Sequence, residues 1–127
     1  MVEEKSKKRV LLVGASPNPS RYAYTAAKMF QDRGFEFIPI GINKGEVQGK
    51  TILNLREKPD LIAIDTITLY ISSDHQEKWI DYLLGLKPNR IIFNPGAENP
   101  DFARKAKANG IVVLNACNLV MLSTGQF

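Results

Sequence analysis

The sequence predicts an α/β domain of three layers, with a five-stranded parallel sheet between helices. Short apolar runs rich in β-branched residues recur along the chain, and helical patterns separate them. Most of the runs are apolar at every position, as strands covered on both faces must be. A chain of 127 residues has the length of one domain with one ordinary core.

The first strand is Arg9–Val13, and Gly14 lets the chain leave it sharply. Ser20 is then the expected N-cap of a helix on which Ala23, Ala26, Ala27 and Phe30 share one face, and Gly34 stops it. The second strand, Glu36–Ile40, completes a β-α-β unit. From Gly41 to Asp60 loop dominates, with a short helix over Ile52–Lys58 ahead of Pro59. The third strand is Leu61–Asp65. A helix over Ser73–Leu84 turns Trp79, Ile80, Leu83 and Leu84 inward, and Gly85 closes it. After the fourth strand, Arg90–Phe93, Asn99 caps a helix whose first position is Pro100. Phe102, Ala103 and Ala106 face the sheet, and Gly110 ends the helix before the last strand, Ile111–Leu114. The apolar tail Leu119–Leu122 suits packing on the sheet, a second subunit or a partner protein, and the sequence leaves these open.

Residues 1–8 are expected to be a poorly ordered start and residues 9–127 a single domain, with no repeat or low-complexity segment. Right-handed crossovers make this a Rossmann-like domain with strand order 3-2-1-4-5. Ligands of such sheets bind beyond the carboxyl ends of the strands, here at the switch between the first and fourth. That selects the segments Gly14–Ser20, Gly41–Gly45, Thr66–Thr68, Asn94–Asn99 and Asn115–Asn118.

With 44% hydrophobic and 24% charged residues, the composition is that of a globular protein. The net charge of +4 is spread out, and the N-terminal run Glu3–Arg9 mixes both signs, so it reads as solvated and no nucleic-acid partner is expected. The surplus suits an anionic small molecule. A single cysteine forms no internal disulfide and the start lacks the apolar stretch of a signal peptide, so a cytoplasmic location is expected. No window reaches the ~18 consecutive apolar residues of a membrane span, and no membrane association is expected.

The first loop carries the strongest motif. Gly14, Ala15 and Ser16 are small enough for backbone to approach a ligand, and the helix opening near Ser20 presents unpaired N–H groups that attract phosphate. A dinucleotide fingerprint would read G-x-G-x-x-G, and Ser16 and Pro19 stand at its later glycines. After the second strand an enzyme using NAD normally carries an acid for the ribose hydroxyls, whereas this chain reads Gly41-Ile42-Asn43-Lys44. An amide and a cation suit a ribose bearing a phosphate, as in NADP or coenzyme A; a merely solvated Lys44 is the alternative.

Other motifs fail on spacing. Gly45–Thr51 ends in Gly-Lys-Thr like a P-loop, but it is one residue short and has no strand directly before it, so it reads as a surface turn. His75, the only histidine, has no partner at metal-ligand spacing. Cys117 has no evident activating base, and Ser16 is not in G-x-S-x-G.

The runs Val13–Arg21 and Ile38–Lys50 resemble the small stand-alone CoA-binding proteins of bacteria. They also resemble the CoA-binding domains of the succinyl-CoA synthetase α subunit and of NDP-forming acyl-CoA synthetases. The similarity extends from about residue 8 to residue 118. It implies that Gly14, Ala15, Ser16, Asn18, Pro19, Ser20 and Arg21 wrap the pyrophosphate, and that Asn43 and Lys44 meet the adenosine end, with Lys44 on the 3′-phosphate. It further implies that Thr66 lies beside the adenine or ribose and that Gly96 matches a glycine after the fourth strand. The chain departs from the family's Trp-x-Gln-x-Gly and Arg-Cys-Pro sequences, reading Ile92-Phe93-Asn94-Pro95-Gly96 and Ala116-Cys117-Asn118. The synthetases' phosphohistidine belongs to a domain outside this similarity. The expected function is therefore non-catalytic binding of coenzyme A or an acyl-CoA through its adenosine-diphosphate portion. Two other readings stay open: an NADP-binding oxidoreductase subunit, and a regulatory domain that has lost its ligand, for which Phe93 or Tyr22 filling the pocket would speak.

Overall fold

A computed structural model describes residues 8–127. Along the chain run β1 (Arg9–Val13), α1 (Tyr22–Asp32), β2 (Glu36–Gly41), β3 (Glu46–Val47), β4 (Lys50–Thr51), β5 (Leu53–Asn54), β6 (Ile64–Leu69), α2 (Ile80–Gly85), β7 (Arg90–Phe93), α3 (Pro100–Ala108), β8 (Val112–Asn115) and α4 (Asn118–Ser123). The expected start at residues 1–8 falls mainly on residues 1–7, which lie outside the described residues.

The main sheet is parallel and has six strands, in the order β5-β2-β1-β6-β7-β8. The expected five-stranded order needs correction on two counts. A strand as short as Leu53–Asn54 leaves no periodic signal, yet it pairs with Ile40 and Gly41 and takes the edge position assigned to Leu61–Asp65. The strand after it runs from Ile64 to Leu69 and lies against β1, with Leu69 beside Val13. Its start is delayed because Ala63 takes a left-handed conformation at φ 59°, and its polar Asp65, Thr66 and Thr68 dilute the apolar pattern. The switch point therefore lies between β1 and β6.

Alternation along the buried strands divides the core between the two faces. Val10 and Leu12 pack with Ala23, Ala26, Ala27 and Phe30 of α1 and with Leu122 of α4. Leu11, Val13, Ile67, Leu69 and Phe93 pack with Trp79, Leu83, Phe102 and Ala106 under α2 and α3. The three layers are thus present, and the C-terminal segment packs on the sheet through Leu119 and Leu122. Phe127 continues this packing, with its ring 5.1 Å from that of Phe30 and its carbonyl oxygen accepting from Arg90 Nη2 at 2.7 Å.

The glycine-rich stretch at 45–51 is an antiparallel hairpin of β3 and β4. Gln48 and Gly49 form its two-residue turn with φ of 51° and 76°, the positive values that match strand twist. Of the Gly-Lys-Thr sequence, Gly49 lies in the turn and Lys50–Thr51 form β4, where the Lys50 ammonium lies 4.7 Å from the centre of the Phe37 ring. Among the described residues, no helix is long and apolar enough to cross a membrane.

Candidate functional site

The carboxyl end of the sheet carries a cleft of about 630 Å³. Its floor is the exit of β1. Gly14 and Ala15 both donate their N–H groups to the Ile40 carbonyl, at 2.9 and 3.1 Å, which seats the first loop on the end of β2. The approach is close on both sides. Gly14 has φ +94°, and a Cβ there would lie 3.2 Å from the backbone carbon of Tyr70. A Cβ on Gly41 would lie 3.1 Å from the Ala15 oxygen.

The rest of the loop is self-supporting. Ser16 Oγ accepts from the Asn18 N–H at 3.1 Å, and Asn18 Oδ1 accepts from both the N–H and the hydroxyl of Ser20, at 3.0 and 2.9 Å. Because Asn18 engages Ser20 in this way, the helix starts one residue later than expected, with Arg21 at the N-cap and no side chain capping it. The first-turn N–H groups of Tyr22 and Ala23, both cleft-lining residues, are thereby left for an anion.

Of the residues expected to bind, Gly14, Ala15, Ser16, Ser20, Arg21, Asn43 and Gly96 line the cleft together. Asn18, Pro19, Lys44 and Thr66 are not among its lining residues. Asn18 acts through the loop it braces, while Lys44 sits on an exposed turn whose neighbour Gly45 abuts Pro17. Thr66 is fully buried inside β6, donating its hydroxyl to Asp65 and accepting from Arg90 Nε. The residues that follow this strand, and reach the cleft, are Tyr70, Ile71 and Ser72.

The lining also includes residues that sequence reasoning missed: Arg56, His75, Lys78 and Trp79, with Ile42 and Tyr22 at the rim. Arg56 is placed by β5 and by the turn in which Asn54 Oδ1 accepts from the Arg56 N–H at 3.0 Å. His75 Nδ1 lies 3.0 Å from Ser72 Oγ. Arg21, Arg56 and Lys78 thus bring three permanent cations to the cleft, and no carboxylate of the described residues lines it. Two of the large hydrophobic side chains that remain exposed, Tyr22 at 75% and Ile42 at 52%, stand at its rim.

One wall rests on Gln76, whose side chain is 1% exposed. Its Nε2 donates to the Ile71 and Ala97 carbonyls, and its Oε1 accepts from Asn99 Nδ2. A second polar cluster lies beside Tyr70. Thr68 Oγ1 donates to Asn118 Oδ1 and accepts from Asn94 Nδ2, and the Tyr70 hydroxyl donates to the same Asn118 oxygen. Burial, and secondarily the charge of a Cys117 thiolate, push the Tyr70 phenol well above its ordinary range, so it remains a donor. Neither residue expected to mark a lost site fills the cleft: Phe93 is buried against Phe102, and Tyr22 projects to solvent.

A doubly wound sheet with a cationic crevice at its switch point defines a Rossmann-like domain. The chain belongs to the CoA binding domain family, whose model matches residues 8–123. A solved structure described as an uncharacterized protein is 49% identical, covering 95% of this chain and 98% of its own, with a TM-score of 0.91. The PH1109 protein redesigned for binding is 24% identical, covering 97% of this chain and 85% of its own, with a TM-score of 0.80. A hypothetical protein from Pyrococcus horikoshii OT3 is 21% identical over 95% of this chain and 84% of its own, with a TM-score of 0.79, a likeness of fold alone. No protein of curated function matches the sequence.

Proposed function

We propose that this domain binds coenzyme A or an acyl-CoA through the adenosine-diphosphate portion, as a binding module without a reaction of its own. The observation that carries the reading is the charge of the cleft: Arg21, Arg56 and Lys78 line it together with an uncapped helix start, and no carboxylate of the described residues does. Coenzyme A supplies what such a lining selects, a pyrophosphate and a ribose phosphate on one molecule. In this reading Gly14–Ser16, Ser20 and Arg21 take the pyrophosphate, and Asn18 and Pro19 shape the loop that holds it. Asn43 and Arg56, at the β2 and β5 ends, take the phosphorylated ribose. The chain has no acid at Gly41–Lys44 to hold unmodified ribose hydroxyls, which argues against NAD.

Thermal-shift titration with CoA, dephospho-CoA, NADP and NAD tests it. At a hundredfold excess over Kd, CoA should stabilise the fold by about 2.7 kcal/mol, with dephospho-CoA and NAD weaker. Stabilisation by NADP with none by CoA would overturn the proposal.

A further inference from the structure

The two edges of the main sheet differ. At one edge β5 has two residues and turns at once into Arg56, Glu57 and Lys58, a short charged end of the kind that resists further pairing. At the other edge β8 sits in the run Ile111–Cys117, which has no charged residue and no proline. The Val112 and Ala116 N–H groups donate to the Asn89 and Phe93 carbonyls at 3.1 Å each, so these residues turn their backbone toward β7. The alternate residues, Val113 and Asn115, therefore direct theirs outward, and among the described residues no strand pairs with them.

Side chains mark the same edge. Val113 packs against the core under α2 and α3, but Val112 on the opposite face is 57% exposed and Leu114 is half-buried. That face stays open because α4 turns back over α1, where Leu122 packs with Val10 and Leu12. Beside β8, α3 presents Ala103, Arg104 and Lys107 along a groove of about 340 Å³ that Asn115 also lines, with Glu98 at its start. The charges follow an order, Glu98 and Asp101 first, Arg104 and Lys107 last. A copy of this helix running the opposite way sets its basic end against the acidic end, with the small Ala103 between them for close approach. We propose that two copies of this chain pair antiparallel through β8, extending the sheet across a two-fold axis at Leu114. In this arrangement Val113 and Asn115 of each copy exchange backbone hydrogen bonds with Asn115 and Val113 of the other, and the two α3 helices lie side by side on one face. The contact is isologous and closes at two chains, which uses up the open edge. Neither β8 nor α3 lines the cleft, so the inference does not rest on the coenzyme A reading.

Sedimentation velocity and light scattering on the full chain, across a dilution series, test it. The mass should be twice the 14.2 kDa of one chain at high concentration and fall to that of one chain on dilution. Asn115→Pro removes an outward N–H without touching the bonds to β7, and should leave a monomer with the original far-UV circular dichroism. Lys107→Glu keeps the strand edge and changes only an exposed helix position. It should raise the concentration of half-dissociation about tenfold, because the two-fold axis repeats the charge conflict. Where Asn115→Pro fails to fold, Lys107→Glu decides alone. A native chain that is monomeric at every concentration overturns the inference, and so does open-ended assembly, which an isologous pair forbids. A dimer that survives Asn115→Pro, or that Lys107→Glu leaves unchanged, places the contact elsewhere and overturns it too.

Discussion

The Gln76 side-chain amide donates to the Ala97 carbonyl at 2.8 Å, bridging the loop after β6 to the loop after β7. The same nitrogen holds the Ile71 carbonyl at 2.8 Å, so one buried side chain fixes two walls of the cleft. Gln76→Ala strands both carbonyls and the Asn99 amide, and should cost about 1–3 kcal/mol in urea unfolding. CoA affinity should fall with it, since the wall loses its fixed shape. An unchanged denaturation midpoint would show that water replaces the amide without loss.

Gly14 and Gly34 separate conformation from space. Both have positive φ, 94° and 75°, but a Cβ meets Tyr70 and Ile71 at the first and nothing within 4 Å at the second. Gly34→Ala should cost about 1–2 kcal/mol from backbone conformation alone. Gly14→Ala should cost more and should also lower CoA binding, because the displaced atoms lie in the cleft floor. Isothermal titration and thermal unfolding of the two variants together provide the comparison.

A ligand difference tests the proposed contact to the ribose phosphate. Arg56→Ala should weaken CoA about tenfold or more while leaving dephospho-CoA within about twofold, since only the former retains the 3′-phosphate. Lys44→Ala should weaken the two ligands alike and slightly. A selective loss on Lys44→Ala would transfer the phosphate contact to that exposed turn.

The Asn118 cluster should show graded costs. Tyr70→Phe removes one donor and should cost about 1 kcal/mol. Asn118→Ala keeps the backbone N–H that donates to Asn94 Oδ1 but takes the shared acceptor from the Thr68 and Tyr70 hydroxyls, and should cost more, read by the same urea midpoints.

Asp65 gives the domain an acid limit. Burial opposes its ionised form, yet hydrogen bonds from Asn89 and Thr66, with the charges of Lys8 and Arg90, hold its carboxyl below the ordinary value of 3.8. A carboxyl depressed on folding stabilises the fold above its unfolded pKa, and this contribution disappears as pH falls through the folded value. Unfolding measured downward from pH 5 should therefore show stability declining below about pH 4. Asp65→Asn should flatten that slope and leave the upper plateau lower than that of the original chain.

What was legible in the sequence is what neighbouring residues determine. Asn99 and Pro100 announced their helix, and Asn99 Oδ1 does accept from the Phe102 N–H at 3.1 Å. Gly14–Ser16 announced a close-packed loop because the small residues are consecutive. Arg56 was missed because its place depends on β5, two residues recognisable only by their pairing with Ile40 and Gly41. Gln76 was missed for the same reason: its partners are Ile71, Ala97 and Asn99, and only the neighbouring exits of β6 and β7 bring them together. The misplacement of Thr66 came from reading Leu61–Asp65 as the strand, which put its end several residues too early.

The pairing of Val13 with Leu69 also sets the order in which the cleft can come into being. The β1-α1-β2 unit can fold from near neighbours and already contains the Gly14–Arg21 loop. Its opposite wall arrives only when a distant part of the chain closes a long loop to lay β6 beside β1, a step that entropy delays. A nascent or half-folded chain therefore carries the loop without the cleft. Ligand capture reports that the whole sheet has closed.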